Sequence, residues 1–206
     1  VSPRRSVADT LETRQRILDR SLAIASAEGL EGLTIGRLAA ELGMSKAGLL
    51  GHFGTKETLQ LAVVDQAAEV FQREVPGRVK QAPSGLPHLR AVCEAWVSYL
   101  EREVLPGGCF FTAATTEFDG RSGRVRDALA GMNALWRRDL RIHVRRAVSF
   151  GELPRDTDVD QLIYEIVGIM LALNHFLQLE HDSAAPRRAR RALERLLGDG
   201  RGGIGG

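Results

Sequence analysis

Residues 33–57 read Leu33-Thr-Ile-Gly-Arg-Leu-Ala-Ala-Glu-Leu-Gly-Met-Ser-Lys-Ala-Gly-Leu-Leu-Gly-His-Phe-Gly-Thr-Lys-Glu57, and this stretch decides the fold. Thr34 has the chemistry of a helix N-cap and is followed by Ile35, Leu38, Ala39 and Leu42 at helical spacing. Gly43 supplies the positive φ that a sharp turn needs, and Ser45 caps a second helix reaching Phe53. Two helices that cross steeply need a small side chain where they touch, which is Ala39. Leu38, Leu42, Met44 and Leu49 then have the spacing to fill the shared core. An alanine, a glycine four residues on and a leucine six further on are the signature of a helix-turn-helix; an ordinary helical hairpin is the plainer alternative.

Outward from this motif the pattern stays helical. A first helix spans about Thr13 to Glu28 and is closed by Gly29, with Gly32 keeping the connection tight. Thr55 caps a long fourth helix that continues to about Glu74. A softer segment holding Pro76, Gly77, Pro83, Gly85 and Pro87 precedes a fifth helix from about Leu86 to Leu105. Pro106-Gly107-Gly108 opens a short sixth helix through Cys109, Phe110, Phe111 and Ala114. A seventh runs from the Arg121-Ser122-Gly123 break to about Phe150, Asp158 caps an eighth, and Pro186 starts a ninth. No run of alternating β-branched and polar residues suggests a strand. The expected class is therefore all-α with about nine helices: an N-terminal three-helix helix-turn-helix domain and a larger C-terminal helical domain. The expected bounds are a flexible arm over 1–12, the helix-turn-helix over 13–60, the second domain over 61–198 and a disordered tail over 199–206, with helix four linking the two domains.

Composition narrows the function classes. The formal charge is only +2, from 28 basic and 26 acidic residues, and residues 1–60 carry eight Lys/Arg against seven Asp/Glu. A nucleic-acid reader of this kind works through a few placed cations, not a general positive field. No run of 18 uncharged apolar residues spans a membrane, and no apolar segment follows Arg4 and Arg5 as in a secretion signal. Cys93 and Cys109 are too few for a disulfide framework, which fits a cytoplasmic protein. Phosphate-binding glycine loops, nucleophile elbows and close metal-ligand pairs are missing, so neither an enzyme, a metal site nor a cofactor is expected. Glu117 and Asp119 read as capping and surface charge near a turn. Cys109, at a predicted helix start, admits two readings: a thiol activated by the helix dipole, or a small buried residue beside Phe110.

The same segment resembles the TetR family of bacterial regulators. Thr34, Ala39, Gly43, Met44, Ser45, Leu49, His52, Phe53, Thr55, Lys56, Glu57 and Leu59 stand where that family's motif places them. Thr13 to Leu18 and Ala27-Glu28-Gly29 match its opening helix. The resemblance implies a homodimeric, operator-binding repressor that releases double-stranded DNA when a small-molecule effector binds the C-terminal half. By matching position it implies DNA roles for Thr34, Ser45, Lys46, Ala47, Gly48, Leu50, His52 and Lys56. Thr34 offers a helix N-terminus to phosphate, Ser45 caps the recognition helix, Lys46 reaches phosphate or a base edge, His52 approaches the backbone, and Lys56 clamps a phosphate. Two positions depart from the family: Leu50 replaces its usual tyrosine, and Ala47-Gly48 shifts its usual glycine by one. Leu50 then packs, or meets a thymine methyl. Gly48 and Gly51 weaken a short helix, which reads either as tolerance or as close backbone approach to the groove. Arg4 and Arg5 read as a minor-groove arm or as a solvated end.

Helix eight is apolar around its circumference and therefore needs cover on both sides, whereas helix nine has one apolar stripe. In the family these two helices pair with their symmetry mates, which implies an interface through Ile163, Val167, Met170, Leu173, Leu177, Leu193 and Leu196; a helix buried in a monomer is the alternative. The aromatic and soft side chains between helices five and eight suit a mainly apolar ligand, with Trp96, Phe110, Phe111, Trp136, Met170 and Asn174 as candidate lining, though such residues also build plain cores. A ligand-independent activator or architectural DNA binder fits the same N-terminal half.

Overall fold

The structure, a computed structural model, describes residues 7–198; the expected tail and the first half of the expected arm, with Arg4 and Arg5, lie outside the described residues. Capping chemistry sets most helix starts. Thr34 Oγ1 accepts the Arg37 amide at 3.3 Å, Ser45 Oγ accepts the Gly48 amide at 3.0 Å, and Thr55 Oγ1 accepts the Thr58 amide at 3.1 Å. The Asp158 carboxylate accepts both the Asp160 and Gln161 amides. Each takes up a donor that the first helical turn leaves without an intrahelical partner.

Among the described residues these ends delimit nine α-helices, one 3-10 turn and no strand: α1 (Val7–Glu28), α2 (Ile35–Glu41), α3 (Lys46–Phe53), α4 (Lys56–Glu74), the turn Pro76–Arg78, α5 (Leu86–Glu101), α6 (Phe110–Phe118), α7 (Arg124–Ser149), α8 (Val159–Gln178) and α9 (Ala185–Leu197). No helix among them is long and apolar enough to cross a membrane. Two ends depart from the sequence reading. Helix α1 begins six residues early, because Val7 to Glu12 contains no Gly or Pro to stop it, and Thr13 Oγ1 donates to the Asp9 carbonyl at 2.7 Å. Helix α5 ends at Glu101, not Leu105, because the chain turns through Glu103 at φ +50°.

The chain forms two compact units. One comprises the described part of Val1–Glu69 with Leu105–Ala130, the other Val70–Val104 with the described part of Gly131–Gly206. In the first, Ile17, Leu22, Leu38, Leu49, Phe53, Leu59 and Val63 are buried together with Phe110 and Ala114. The loop before α6 lies directly on the end of α1: a Cβ at Gly107 would sit 1.7 Å from the Ser26 carbonyl oxygen, so only glycine fits. In the second, α5, α8 and α9 pack together around Leu89, Val92, Ile166, Met170, Leu173 and Leu193. Arg190 fastens α9 to α5 by bonding both Glu94 and Glu101, and Arg90 donates to the Leu197 and Gly198 carbonyls at the end of α9.

Also in the second unit, the rings of His88 and His143 stack at 4.0 Å. His143 is buried and its Nδ1 has no hydrogen-bond partner. Burial, aided by His88 and to a lesser degree Arg146 and opposed by Asp139, holds its pKa below the usual 6.5. A histidine with a depressed folded-state pKa contributes stability that is complete above its unfolded pKa and is lost as pH falls toward the folded value. The thermal unfolding midpoint is therefore expected to fall between about pH 7 and pH 5, and His143→Phe is expected to flatten that decline. A wild-type midpoint that stays constant over this range would contradict the assignment.

Candidate nucleic-acid interface

Helix α3 is only eight residues long and holds two glycines, so it depends on its buried side. Leu49 and Phe53 supply it, sinking into the core of the first unit, while Arg14 of α1 lies 4.7 Å above the Phe53 ring. The opposite face is exposed and nearly free of bulk: Lys46, Ala47, Gly48 and Gly51. Nothing lies within 4 Å of a Cβ built at Gly51, so packing inside the protein does not demand a glycine there. At Gly48 a Cβ would meet only the Ser45 hydroxyl, at 3.1 Å. Gly43, with φ +63°, and Gly54, with φ +75°, are required by the turns at either end.

Thr34 and Ser45, the two capping residues, are exposed, and each starts one helix of the motif. Lys46 lies against α2, because a Cβ at Gly36 would come within 3.1 Å of its Cε. Gly36 thereby makes room for the lysine stem, a role that the sequence pattern did not signal. Leu50 and His52 are half-buried at the margin of the exposed face. Lys56 is held: its Nζ donates to the Glu31 carbonyl at 3.0 Å and stands 3.4 Å from that residue's carboxylate.

The arginines nearby are engaged within the protein. Arg37 pairs with Glu28 and with Glu41, and Arg20 also pairs with Glu41. Hydrogen bonds from Arg37 hold the Glu28 carboxyl below its usual pKa, and those from Arg20 and Arg37 do the same for Glu41. With Arg20 and Arg37 paired, Lys46 opens α3 and Lys56 opens α4 as the lysines of this surface.

Glu117 does not stay a surface charge. Its carboxylate accepts the Leu30 amide at 2.7 Å and the Glu31 amide at 2.9 Å, so it caps the turn between α1 and α2 from a different helix. The paired glycine at Gly29 is the signal that sequence reading had available: its φ is +85°, and a Cβ there would sit 3.0 Å from the same carboxylate. Cys109 is fully buried, and burial pushes its thiol up from the usual range, as it pushes Cys93 up to about 12. Of the two readings of Cys109, complete burial favours the packed core residue over the activated thiol.

The candidate ligand residues divide between the units. Phe110 is buried and Phe111 half-buried in the first. Trp96, Trp136, Met170 and Asn174 belong to the second. There Trp96 and Trp136 meet edge to face at 5.4 Å, and Phe71 meets both, at 5.6 and 5.0 Å. Both indole N–H groups are buried without a hydrogen-bond partner. Met170 and Asn174 are buried on α8.

The candidate interface residues divide in another way. Ile163, Met170, Leu173 and Leu193 are buried in the chain's own second unit, and only Val167, Leu177 and Leu196 keep partial exposure. The apolar side chains that α8 leaves open are others, Tyr164, Leu171 and Phe176 beside the exposed Gly168, with Leu179 just past its end and Tyr164 75% exposed. A helix apolar all round must divide its circumference between its own core and an outside neighbour, and periodicity does not say where the division falls.

Comparison with known proteins accounts for both halves of the chain. Residues 17–63 match the model described as bacterial regulatory proteins, tetR family, and residues 85–193 match the model described as tetracyclin repressor-like, C-terminal domain. The HTH-type transcriptional regulator SrpR of Pseudomonas putida is 26% identical over 173 residues, which cover 82% of this chain and 77% of SrpR. A TetR transcriptional regulator from Chloroflexus aurantiacus superposes with a TM-score of 0.83 at 26% identity, over 93% of this chain and 95% of that one. AibR, solved in complex with isovaleryl coenzyme A and operator DNA, shares the fold at a TM-score of 0.74 and 20% identity, over 89% and 97% of the two chains.

Proposed function

The chain belongs to the TetR family of bacterial regulatory proteins, DNA-binding regulators of transcription, and on that premise we propose that it is a dimeric repressor whose grip on operator DNA is released by a small, largely apolar ligand. The observation that carries the reading is the bare face of α3, exposed through Lys46, Ala47, Gly48 and Gly51 between the capped starts of α3 and α4. Such a face lets the helix backbone approach the major groove closely, with Thr34, Ser45, Lys46 and Lys56 directed to phosphates and Leu50 and His52 at the edge of the contact. Few side chains on it hydrogen-bond base edges, so groove fit and phosphate contacts carry much of the recognition.

One such face makes few contacts, and a dimer doubles them. Two recognition helices about 34–36 Å apart meet successive major grooves. Tyr164, Gly168, Leu171 and Phe176, with Leu179 just past the helix end, form the part of α8 open to a symmetry mate, extended by Val167 and Leu177. Its small residue, Gly168, permits close helix approach. The ligand site we favour lies in the second unit at Trp96 and Trp136, beside Met170 and Asn174 on α8. Buried indole donors without partners cost free energy that a ligand's acceptor atoms would recover. AibR, a protein of this fold, has been solved with both isovaleryl coenzyme A and operator DNA bound, so the fold accommodates a small molecule and operator DNA.

Selection of bound fragments from genomic DNA tests the central claim, and retention of no specific fragment would overturn it. On the selected operator, Gly51→Ala is expected to stabilise α3 by up to about 1 kcal/mol while weakening DNA binding, because the added methyl stands between backbone and groove; unchanged affinity would make Gly51 merely tolerated. Leu171→Glu is expected to give a folded monomer on sizing, with operator affinity lost. Leu173→Glu, with its side chain 2% exposed, is expected to destabilise the fold instead. A persistent Leu171→Glu dimer would move the interface elsewhere.

A further inference from the structure

Helix α6 is fastened at both ends to one short stretch of chain, residues 26–31. At its start Gly107 lies against the Ser26 carbonyl, with no room for a Cβ. Near its end Glu117 holds the Leu30 and Glu31 amides. The carbonyls of the same two residues are taken from the other side by α4: Gln60 Nε2 donates to Leu30 O at 3.1 Å, and Lys56 Nζ donates to Glu31 O at 3.0 Å. The Glu31 side chain closes the arrangement, lying 3.2 Å from Gln60 Nε2, 3.4 Å from Lys56 Nζ and 3.4 Å from Arg121 Nη1. The Leu30–Glu31 peptide group therefore sits between Glu117, which accepts its N–H, and Gln60, which donates to its carbonyl, while the peptide groups on either side take the second Glu117 bond and the Lys56 bond. Each bond in such a chain polarises the next.

We propose that Glu117 is a positioning residue for operator binding: it fixes the α1–α2 turn, and through Glu31 the place of Lys56, so that the DNA-binding surface is correctly formed only while α6 is docked. The reasoning is geometric. Residue 31 lies three positions before Thr34, the cap of α2, so displacing the turn displaces the entry to the helix-turn-helix. The Lys56 ammonium takes its location from the Glu31 carbonyl and carboxylate, and when the turn moves the cation moves with it. Gly29 makes the latch possible, because its positive φ turns two successive amides toward one carboxylate and its missing side chain leaves space for that carboxylate. A latch of two charge-assisted bonds is also sensitive to distance, since a shift of about 1 Å takes an N–H···O contact out of bonding range. Any movement of α6 away from residues 26–31 would thus be felt at Lys56 without unfolding either helix.

The inference rests on the operator-binding reading, and the experiment separates the two. Full-length Glu117→Gln keeps the side-chain volume but sets an NH2 group against one of the two amides. Hydrogen exchange at Leu30 and Glu31 is expected to quicken, and affinity for the selected operator fragment to fall on the order of tenfold, the effect of losing one hydrogen bond to a charged group. The slope of log affinity against log salt is expected to flatten toward that of Lys56→Ala, and the double variant Glu117→Gln/Lys56→Ala to be little worse than Lys56→Ala alone. A purely structural loss lowers the folded fraction and leaves the slope as it was; that outcome, or undiminished affinity with quickened exchange, overturns the latch. Should Glu117→Gln fail to fold, Glu117→Asp withdraws the same charge by one methylene and is judged by the same slope and exchange. A wild-type chain that retains no fragment overturns the operator reading and the latch with it; a wild type that binds as tightly as its Glu117 variants overturns the latch alone.

Discussion

An eight-residue helix with glycine at two of its positions does not hold itself together in water. Burial of Leu49 and Phe53 in the core shared with α1 and α2 is therefore the interaction on which this molecule's function depends. It converts a weak helix into a rigid one while leaving the other face unencumbered. The cost of the glycines is met by packing on the far side, by the Ser45 cap and by the cation of Arg14 over Phe53. The DNA-facing side is then free to be selected for fit instead of for helix stability. The same dependence explains why so much of the first unit concerns placement: α2 and the ends of α1 and α4 must stand correctly for α3 to stand at all.

The second constraint is charge. Near the motif Arg20 and Arg37 are committed to carboxylates, with Arg37 bound to Glu28 and Glu41 and Arg20 bound to Glu41. Such exposed pairs add little stability individually. Their consequence is to tie up two of the cations near the motif. On the proposed reading Lys46 and Lys56 carry much of the attraction to phosphate, and a second copy of the chain would double it.

What was legible in the sequence follows the range of the interaction. Thr34, Ser45, Thr55 and Asp158 act on amides two or three residues away, and Gly43 and Gly54 on their own backbone, so local pattern was enough to find them. The all-α class followed from the same local signals. Glu117 acts on residues 86 and 87 positions away, and nothing beside it in the chain says so. The predicted roles of Leu173 and Met170 had a related difficulty: periodicity marks them as apolar, but whether they face their own core or another copy depends on where α5 and α9 happen to pack. Cys109 shows the same limit: its position at a helix start admitted an activated thiol as well as a packed residue, and complete burial decides for the packed one.

The unpartnered groups of the second unit bear on how a ligand would act. Trp96 and Trp136 carry indole N–H donors with no acceptor, set among rings that meet edge to face and therefore leave little slack. Buried donors of this kind make the ligand-free packing less favourable than a fully satisfied core would be. A ligand bringing acceptor atoms gains those bonds but must displace aromatic side chains from close contact to do it. A ligand shifts an equilibrium only by its differential affinity for the two states, and on the proposed reading the two unpartnered indole donors are where such a difference would arise.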